Sequence, residues 1–203
     1  MIDRLSRKIT QSLIDKEIIS FDDWEVYMYG LQMMISGIVK LIGFMIIAWV
    51  LGWIVEAIVF ITTFSLLRVN AGGYHADTYL KCFLVTSIAT FLSIGIVKYY
   101  FVSGSIIYIA IISLLAGALV LFYAPVDTPN KRMVGNEKKI FRRRSIVVLT
   151  LEISVIVIAY FISPKISIFC NIAAMAMLFE GITLTPLFAE NDIQKERGYY
   201  NEE

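Results

Sequence analysis

Six long apolar blocks, separated by polar stretches, set the tightest limit on what this chain can fold into. They cover residues 31–51, 53–67, 83–97, 106–123, 146–162 and 166–188. Most approach the length at which a helix, rising 1.5 Å per residue, crosses a ~30 Å hydrocarbon core. The chain is 58% hydrophobic over 203 residues, with mean hydropathy +0.74. A soluble domain runs nearer roughly half apolar, with the excess not gathered into blocks. The expected fold class is therefore all-α: a polytopic integral membrane protein of six transmembrane helices. The second block is short, roughly 22 Å as a helix. Either the bilayer edge dips there or the polar residues after it continue the segment.

Ahead of the first block, residues 2–19 read as an amphipathic helix. Ile2, Leu5, Ile9, Leu13 and Ile18 recur at three- to five-residue spacing, with Arg4, Arg7, Lys8 and Lys16 among the intervening positions. Such a helix can lie in the headgroup plane with its cations toward anionic lipid, or it can be a solvated helix packed on a partner. Ser20 followed by Asp23 resembles a capping box and places the next helix start near Phe21. The first thirty residues carry charges throughout, so no cleavable signal peptide is expected. The expected organisation is one membrane domain over 1–203, made of an interfacial helix (1–20), a six-span core (21–188) and a cytoplasmic tail (189–203).

Lysines and arginines orient the spans. With six crossings, fifteen of the 18 fall on one side: in the N-terminal helix, beside residues 68–81, in the 124–144 loop and in the tail. Lys98 and Lys165 fall on the other side, and Lys40 lies within a span. The positive-inside rule then makes both termini cytoplasmic. The net charge of +1 gives no field that would draw nucleic acid. Two cysteines do not make a disulfide framework.

Between the second and third blocks lies a polar island, Arg68-Val-Asn-Ala-Gly-Gly-Tyr-His75-Ala-Asp-Thr-Tyr-Leu-Lys-Cys82-Phe83. It holds the chain's one histidine and one of its two cysteines, on the cytoplasmic side by the charge count. A thiol is mostly protonated at neutral pH and needs a base to become a nucleophile. His75 is the only imidazole that can serve Cys82. Lys81 and Arg68 are cations suited to favouring the thiolate or to holding a substrate carboxylate. On one straight helix the pair would sit about 10.5 Å apart along the axis, too far for proton transfer. A dyad therefore requires non-helical backbone from Gly72 to about Asp77, and Gly72-Gly73 supplies the freedom to bend. The alternative is an interfacial histidine and a cysteine that only fills space. Cys170, in an apolar run with no base nearby, reads as packing.

The island resembles the signature of the AgrB family, the accessory gene regulator B peptidases, with arginine, paired glycines, histidine and cysteine at that family's spacing. Ala124-Pro-Val-Asp-Thr-Pro-Asn-Lys131 resembles its second cytoplasmic signature. The resemblance implies a cysteine endopeptidase that cuts a short quorum-sensing precursor peptide (AgrD-like) through an acyl-enzyme thioester. The thioester then closes to a thiolactone or lactone. It implies Cys82 as nucleophile and His75 as base, with Arg68, Gly72 and Gly73 as motif positions. It also implies a bacterial cell-membrane location, a homodimer, and no metal or cofactor. The basic loop, Lys131 and Arg132 included, suits an acidic recognition tail by long-range attraction, or is an ordinary positive-inside loop.

A non-catalytic peptide transporter or scaffold is the competing expectation, with Cys82 incidental. Other intramembrane proteases fit worse: there is no His-Glu-x-x-His zinc motif, no Gly-x-Ser-x-Gly elbow and no aspartate within a span. Lys40, Glu56, Glu152 and Glu180 do lie within the apolar blocks, where an unpaired charge costs about 2.5–3.5 kcal/mol on the insertion scale. Lys40 is expected to pair with Glu180 or Glu152, and Glu56 to reach water. The small residues Gly37, Gly43, Ala173, Ala174 and Ala176 mark surfaces for close helix approach.

Overall fold

The computed structural model describes residues 2–73, 78–100, 106–126, 136–163 and 166–186. Its helices are α1 (Ile2–Asp15), α2 (Trp24–Leu51), α3 (Ile54–Ala71), α4 (Tyr79–Tyr100), α5 (Ile106–Tyr123), α6 (Glu137–Ile162) and α7 (Ser167–Thr183). There is no β-strand among the described residues, only one isolated bridge. The protein is an all-α polytopic membrane protein. Helices α2 to α6 are long and apolar enough to cross a bilayer, and α7 is a shorter apolar helix of 17 residues. Large apolar side chains such as Leu114, Phe122, Val155 and Phe161 stand exposed along α5 and α6. A continuous belt of this kind is stable against acyl chains and not against water.

The contacts group into two compact units, residues 1–53 and 54–203. In the first, α1 folds back antiparallel on the start of α2. Gln32 Nε2 donates to Asp3 Oδ1 at 3.0 Å, and Thr10 Oγ1 lies 3.9 Å from Met28 Sδ. The buried line of α1 is small and polar: Ser6 and Thr10 bond to carbonyls four residues back, at 3.1 and 2.9 Å, which satisfies them within their own helix. The expected cap is present, since Ser20 Oγ accepts from the Asp22 amide ahead of a short 3-10 turn, Phe21–Asp23. Helix α2 is about 42 Å long for its 28 residues, more than the hydrocarbon core requires.

In the second unit α7 is the hub, packed against α3, α4, α5 and α6. A helix packed by four others approaches them closely through small side chains, and Ala173, Ala174 and Ala176 are buried, as are the larger Ile172 and Met177. Gly181 makes the closest approach: a Cβ there would lie 3.0 Å from Leu119 Cβ and 3.4 Å from Ala116 O. Gly181→Val is therefore expected to separate α5 from α7 and cost about 1–3 kcal/mol by overpacking. A lower melting temperature of the purified protein in detergent is the check.

Three sequence expectations meet different surroundings. Glu56 does not stand alone in water: Lys98 Nζ pairs with Glu56 Oε1 at 2.5 Å where α3 begins and α4 ends. Glu180 finds its cation in Arg68 of α3. Neither oxygen of Glu152 has a hydrogen-bond partner among the described residues. Its side chain lines an otherwise largely apolar cavity of about 440 Å³ between α3, α6 and α7. The stretch read as a polar loop up to Arg144 is also partly helical, since α6 starts at Glu137. At 26 residues α6 is about 39 Å long, enough for its polar first turns to project from the hydrocarbon.

Candidate active site

Helix α3 does not stop where its apolar block ends at Leu67; it carries Arg68 in its last turn and runs to Ala71. At 18 residues it is about 27 Å long, so the polar continuation supplies the missing length. Arg68 meets the end of α7. Its Nη1 donates to Thr183 Oγ1 at 2.9 Å and to Glu180 Oε2 at 3.3 Å. The Thr183 hydroxyl, while accepting from Arg68, has one proton to give. Glu180 Oε2 at 3.0 Å and the Glu180 carbonyl at 2.9 Å are the acceptors in reach. Glu180 and Thr183 share a helix face because they are three residues apart. The Glu180 side chain is 0% exposed and that of Arg68 18%. The guanidinium thus lies where two helix C-termini converge, which favours a cation there. Below it is an aromatic floor: Arg68 Cζ lies 5.8 Å from the Phe64 ring centroid, and Phe64 packs at 5.6 Å on Phe179.

The two glycines turn the chain over this ion pair. Gly72 has φ +78° and Gly73 φ +119°, values that L side chains rarely adopt. Both also sit where a side chain has no room. A Cβ on Gly72 would run into Val126 O. One on Gly73 would lie 2.5 Å from Arg68 Nη1 and 2.8 Å from Thr183 Oγ1. Gly72 forms a parallel bridge with Val126, whose amide donates to Ala71 O at 2.9 Å. The bridge joins two sequence motifs more than fifty positions apart: the glycine pair and the segment beginning Ala124-Pro125-Val126.

Beyond the turn, Thr78 caps α4. Its Oγ1 accepts from the Lys81 amide at 3.3 Å, and its carbonyl accepts the first helical bond from Cys82 N at 3.0 Å. Cys82 is a free, partly buried thiol in the first turn of α4. Five chain steps separate Gly73 from Thr78, which limits their distance to roughly 18 Å. Continuous helix from Arg68 to Cys82 is excluded, because α3 ends at Ala71 and α4 begins at Tyr79. That break is the condition placed on the dyad by its sequence spacing. His75, Lys131 and Arg132 lie outside the described residues.

Cys170 is buried, with its sulfur 3.6 Å from the Ile156 carbonyl oxygen. The first two turns of α6 carry Lys138, Lys139, Arg142, Arg143 and Arg144, all exposed, giving the cationic segment a helical form at its end. Glu180 and Thr183 were not among the expected site residues. Their signal was a buried acid with a hydroxyl one turn later, in an apolar helix that ends at the same face as Arg68.

The model of the family Accessory gene regulator B matches residues 6–184. An AgrB-like protein of Clostridium perfringens (strain SM101 / Type A) is 29% identical over 157 residues, covering 74% of this chain and 73% of its own. Accessory gene regulator protein B of Staphylococcus intermedius is 24% identical over 93% of this chain and 96% of its own. The protein of the same name from Staphylococcus aureus (strain Newman) is 26% identical over 78% and 80%. No solved structure matches the chain.

Proposed function

The chain belongs to the accessory gene regulator B family, and on that premise we propose that it is a membrane-embedded cysteine endopeptidase of quorum-sensing peptide processing. The observation that carries the reading is the placement of Cys82: a free thiol in the first turn of α4, just beyond a helix break built from Gly72 and Gly73. The chain's one histidine falls in sequence between the break and the thiol. The whole chain serves as one membrane domain, with the break and both termini on the cytoplasmic side, as the distribution of cations supports. A homodimer follows from the family premise.

The reaction runs in two acyl transfers. His75 takes the Cys82 proton, and the thiolate attacks the carbonyl between the signal segment and the acidic tail of an AgrD-like precursor. The C–N bond breaks, the proton leaves with the amine of the tail, and a thioester joins the signal segment to Cys82. A cysteine or serine of the signal segment then attacks that thioester, its proton passes through His75 to the departing Cys82 sulfur, and the ring closes. The first step is uphill and the second near balance when the attacking group is a thiol. The acyl-enzyme must therefore be kept from water while the internal nucleophile is oriented. The cationic run ending in α6 attracts the acidic tail at long range.

The test is to trap the thioester. A synthetic AgrD-like precursor, its ring-closing residue replaced by alanine, is incubated with the protein in liposomes and quenched in acid. The expected result is a covalent adduct of the signal segment's mass, labile to hydroxylamine and mapping to Cys82. Tail release with no adduct, or an adduct on Cys170, overturns the mechanism.

A further inference from the structure

Glu180 and Thr183 belong to no motif that the cysteine chemistry calls for, and they are about a hundred positions from Cys82 in sequence. Yet they hold the one cation on which the glycine turn rests. We propose that Glu180 and Thr183 are positioning residues of the processing reaction: by fixing Arg68 against the end of α7, they fix the glycine turn, Gly72-Gly73, that precedes His75 and Cys82 in the sequence. This inference rests on the endopeptidase reading and adds a device to it.

The argument begins with charge. A lone arginine within a membrane bundle is costly, and a lone glutamate likewise. Paired, they are neutral overall, but a buried ion pair is a poor source of net stability because desolvation offsets the attraction. What such a pair does supply is geometry. Arg68 Nη1 is held from two directions, by Glu180 Oε2 at 3.3 Å and Thr183 Oγ1 at 2.9 Å. Thr183 can also donate back to Glu180 Oε2, at 3.0 Å, which closes a three-member ring of polar contacts. The Phe64 face and its neighbour Phe179 close it from below.

Gly73 sits directly on this ring, so close that one added carbon would meet both Arg68 Nη1 and Thr183 Oγ1. On its other side the turn is pinned by the Gly72–Val126 bridge. The turn is therefore clamped between α7 and the Val126 segment. Loosening the α7 side removes the two contacts that hold Arg68 Nη1 beneath Gly73, and the turn loses that support. A shift of order 1 Å in a reacting group far from the change can cost about a hundredfold in rate. Such a loss falls on the chemical step and not on capture of the precursor, because neither residue is exposed to a ligand.

The variants are Glu180→Gln, Thr183→Val and Thr183→Ser, in liposomes with the synthetic precursor. Turnover is expressed per Cys82 thiol titrated by maleimide in a Cys170→Ala background, so that only protein with a reactive site is counted. Glu180→Gln and Thr183→Val are expected to lower kcat by about tenfold or more, with KM within about twofold of the parent. Thr183→Ser, which keeps the hydroxyl, is expected to recover most of the loss seen with Val. A kcat within twofold of the parent for both Glu180→Gln and Thr183→Val overturns the proposal. So does a loss confined to KM, or a serine variant no better than valine. If Glu180→Gln does not accumulate, the uncharged Thr183 pair decides alone. Cys82→Ala, compared with the parent at equal protein by immunoblot because it has no thiol to titrate, separates the premise from the inference. Cleavage that survives it removes the endopeptidase reading, whereas its loss beside normal Glu180→Gln turnover removes only the positioning role.

Discussion

Replacing Cys82 with alanine is expected to reduce precursor cleavage at least roughly a thousandfold, to the level of cells lacking the protein, with membrane accumulation unchanged. The size follows from the role. Without the sulfur there is no atom to form the acyl-enzyme, and the remaining groups can only bind and orient. Cys82→Ser is expected to lie close to the alanine variant, because a hydroxyl is a far weaker nucleophile at neutral pH than a thiol. Accumulation is expected to hold because Cys82 is only partly buried, in the first turn of α4. Its amide bond to Thr78 O does not depend on the side chain. Cys170→Ala is the internal control. Its sulfur is buried in the bundle beside the Ile156 carbonyl, so the substitution is expected to leave cleavage in place. The measurement is co-expression with the precursor, immunoblotting for tail release and for protein level. Cleavage retained by Cys82→Ala at parental level would return the chain to the transporter or scaffold reading.

The spans were legible in the sequence because apolar length is a local property, and the bilayer selects on it directly. What local hydropathy misses is a polar residue that remains helical. Helix α3 continues through Arg68 since the charge that would end an apolar window is neutralised by Glu180 on another helix. Helix α6 begins at Glu137 because Lys and Arg are good helix formers, and only the greasy half of such a helix registers as a span. Helix α7, the shortest of the apolar six, turned out to be the one on which α3, α4, α5 and α6 pack; Ala173, Ala174 and Ala176 announced close packing but not how many neighbours would share it.

The site divides in the same way. The glycine pair, Arg68 and Cys82 could be singled out in the sequence because they share one polar island with the chain's one histidine, and the seven-residue gap from His75 to Cys82 forbids a regular helix between a base and a nucleophile. The break between Ala71 and Tyr79 is consistent with that demand. Glu180 was seen only as a buried charge in need of a partner, and the sequence offered no way to choose among cations on other helices. The choice is made in three dimensions, where α3 and α7 end side by side. The first helix shows the limit of pattern in another way. Its apolar residues were the legible feature, but the line that α1 buries on α2 is Ser6 and Thr10. Their hydroxyls bond to their own helix and allow a close, neutral approach.

Gly73→Ala is expected to be the most damaging change after loss of the nucleophile, though it removes no functional group. Two costs fall on one atom. At φ +119° an alanine is strained by about 1–3 kcal/mol whatever surrounds it. Its methyl group would also lie 2.5 Å from Arg68 Nη1 and 2.8 Å from Thr183 Oγ1, so that either the ion pair opens or the turn moves away. Both responses displace the chain that leads to His75. Cleavage per titratable Cys82 is expected to fall about a hundredfold, the scale on which misplaced reacting groups lose rate. Gly72→Ala should act through the opposite side of the turn, by driving the Val126 carbonyl away and loosening the bridge. Its loss should be the smaller of the two, because the polar ring under Gly73 stays intact. Gly37→Ala calibrates the series. Gly37 lies within α2 with nothing within 4 Å of an added Cβ, so alanine there is expected to be neutral or to stabilise the helix slightly. Gly73→Ala protein that accumulates and cleaves at the parental rate would show that the chain reaches Cys82 without the support of Arg68. In that case the ion pair at the end of α7 has no part in the chemistry.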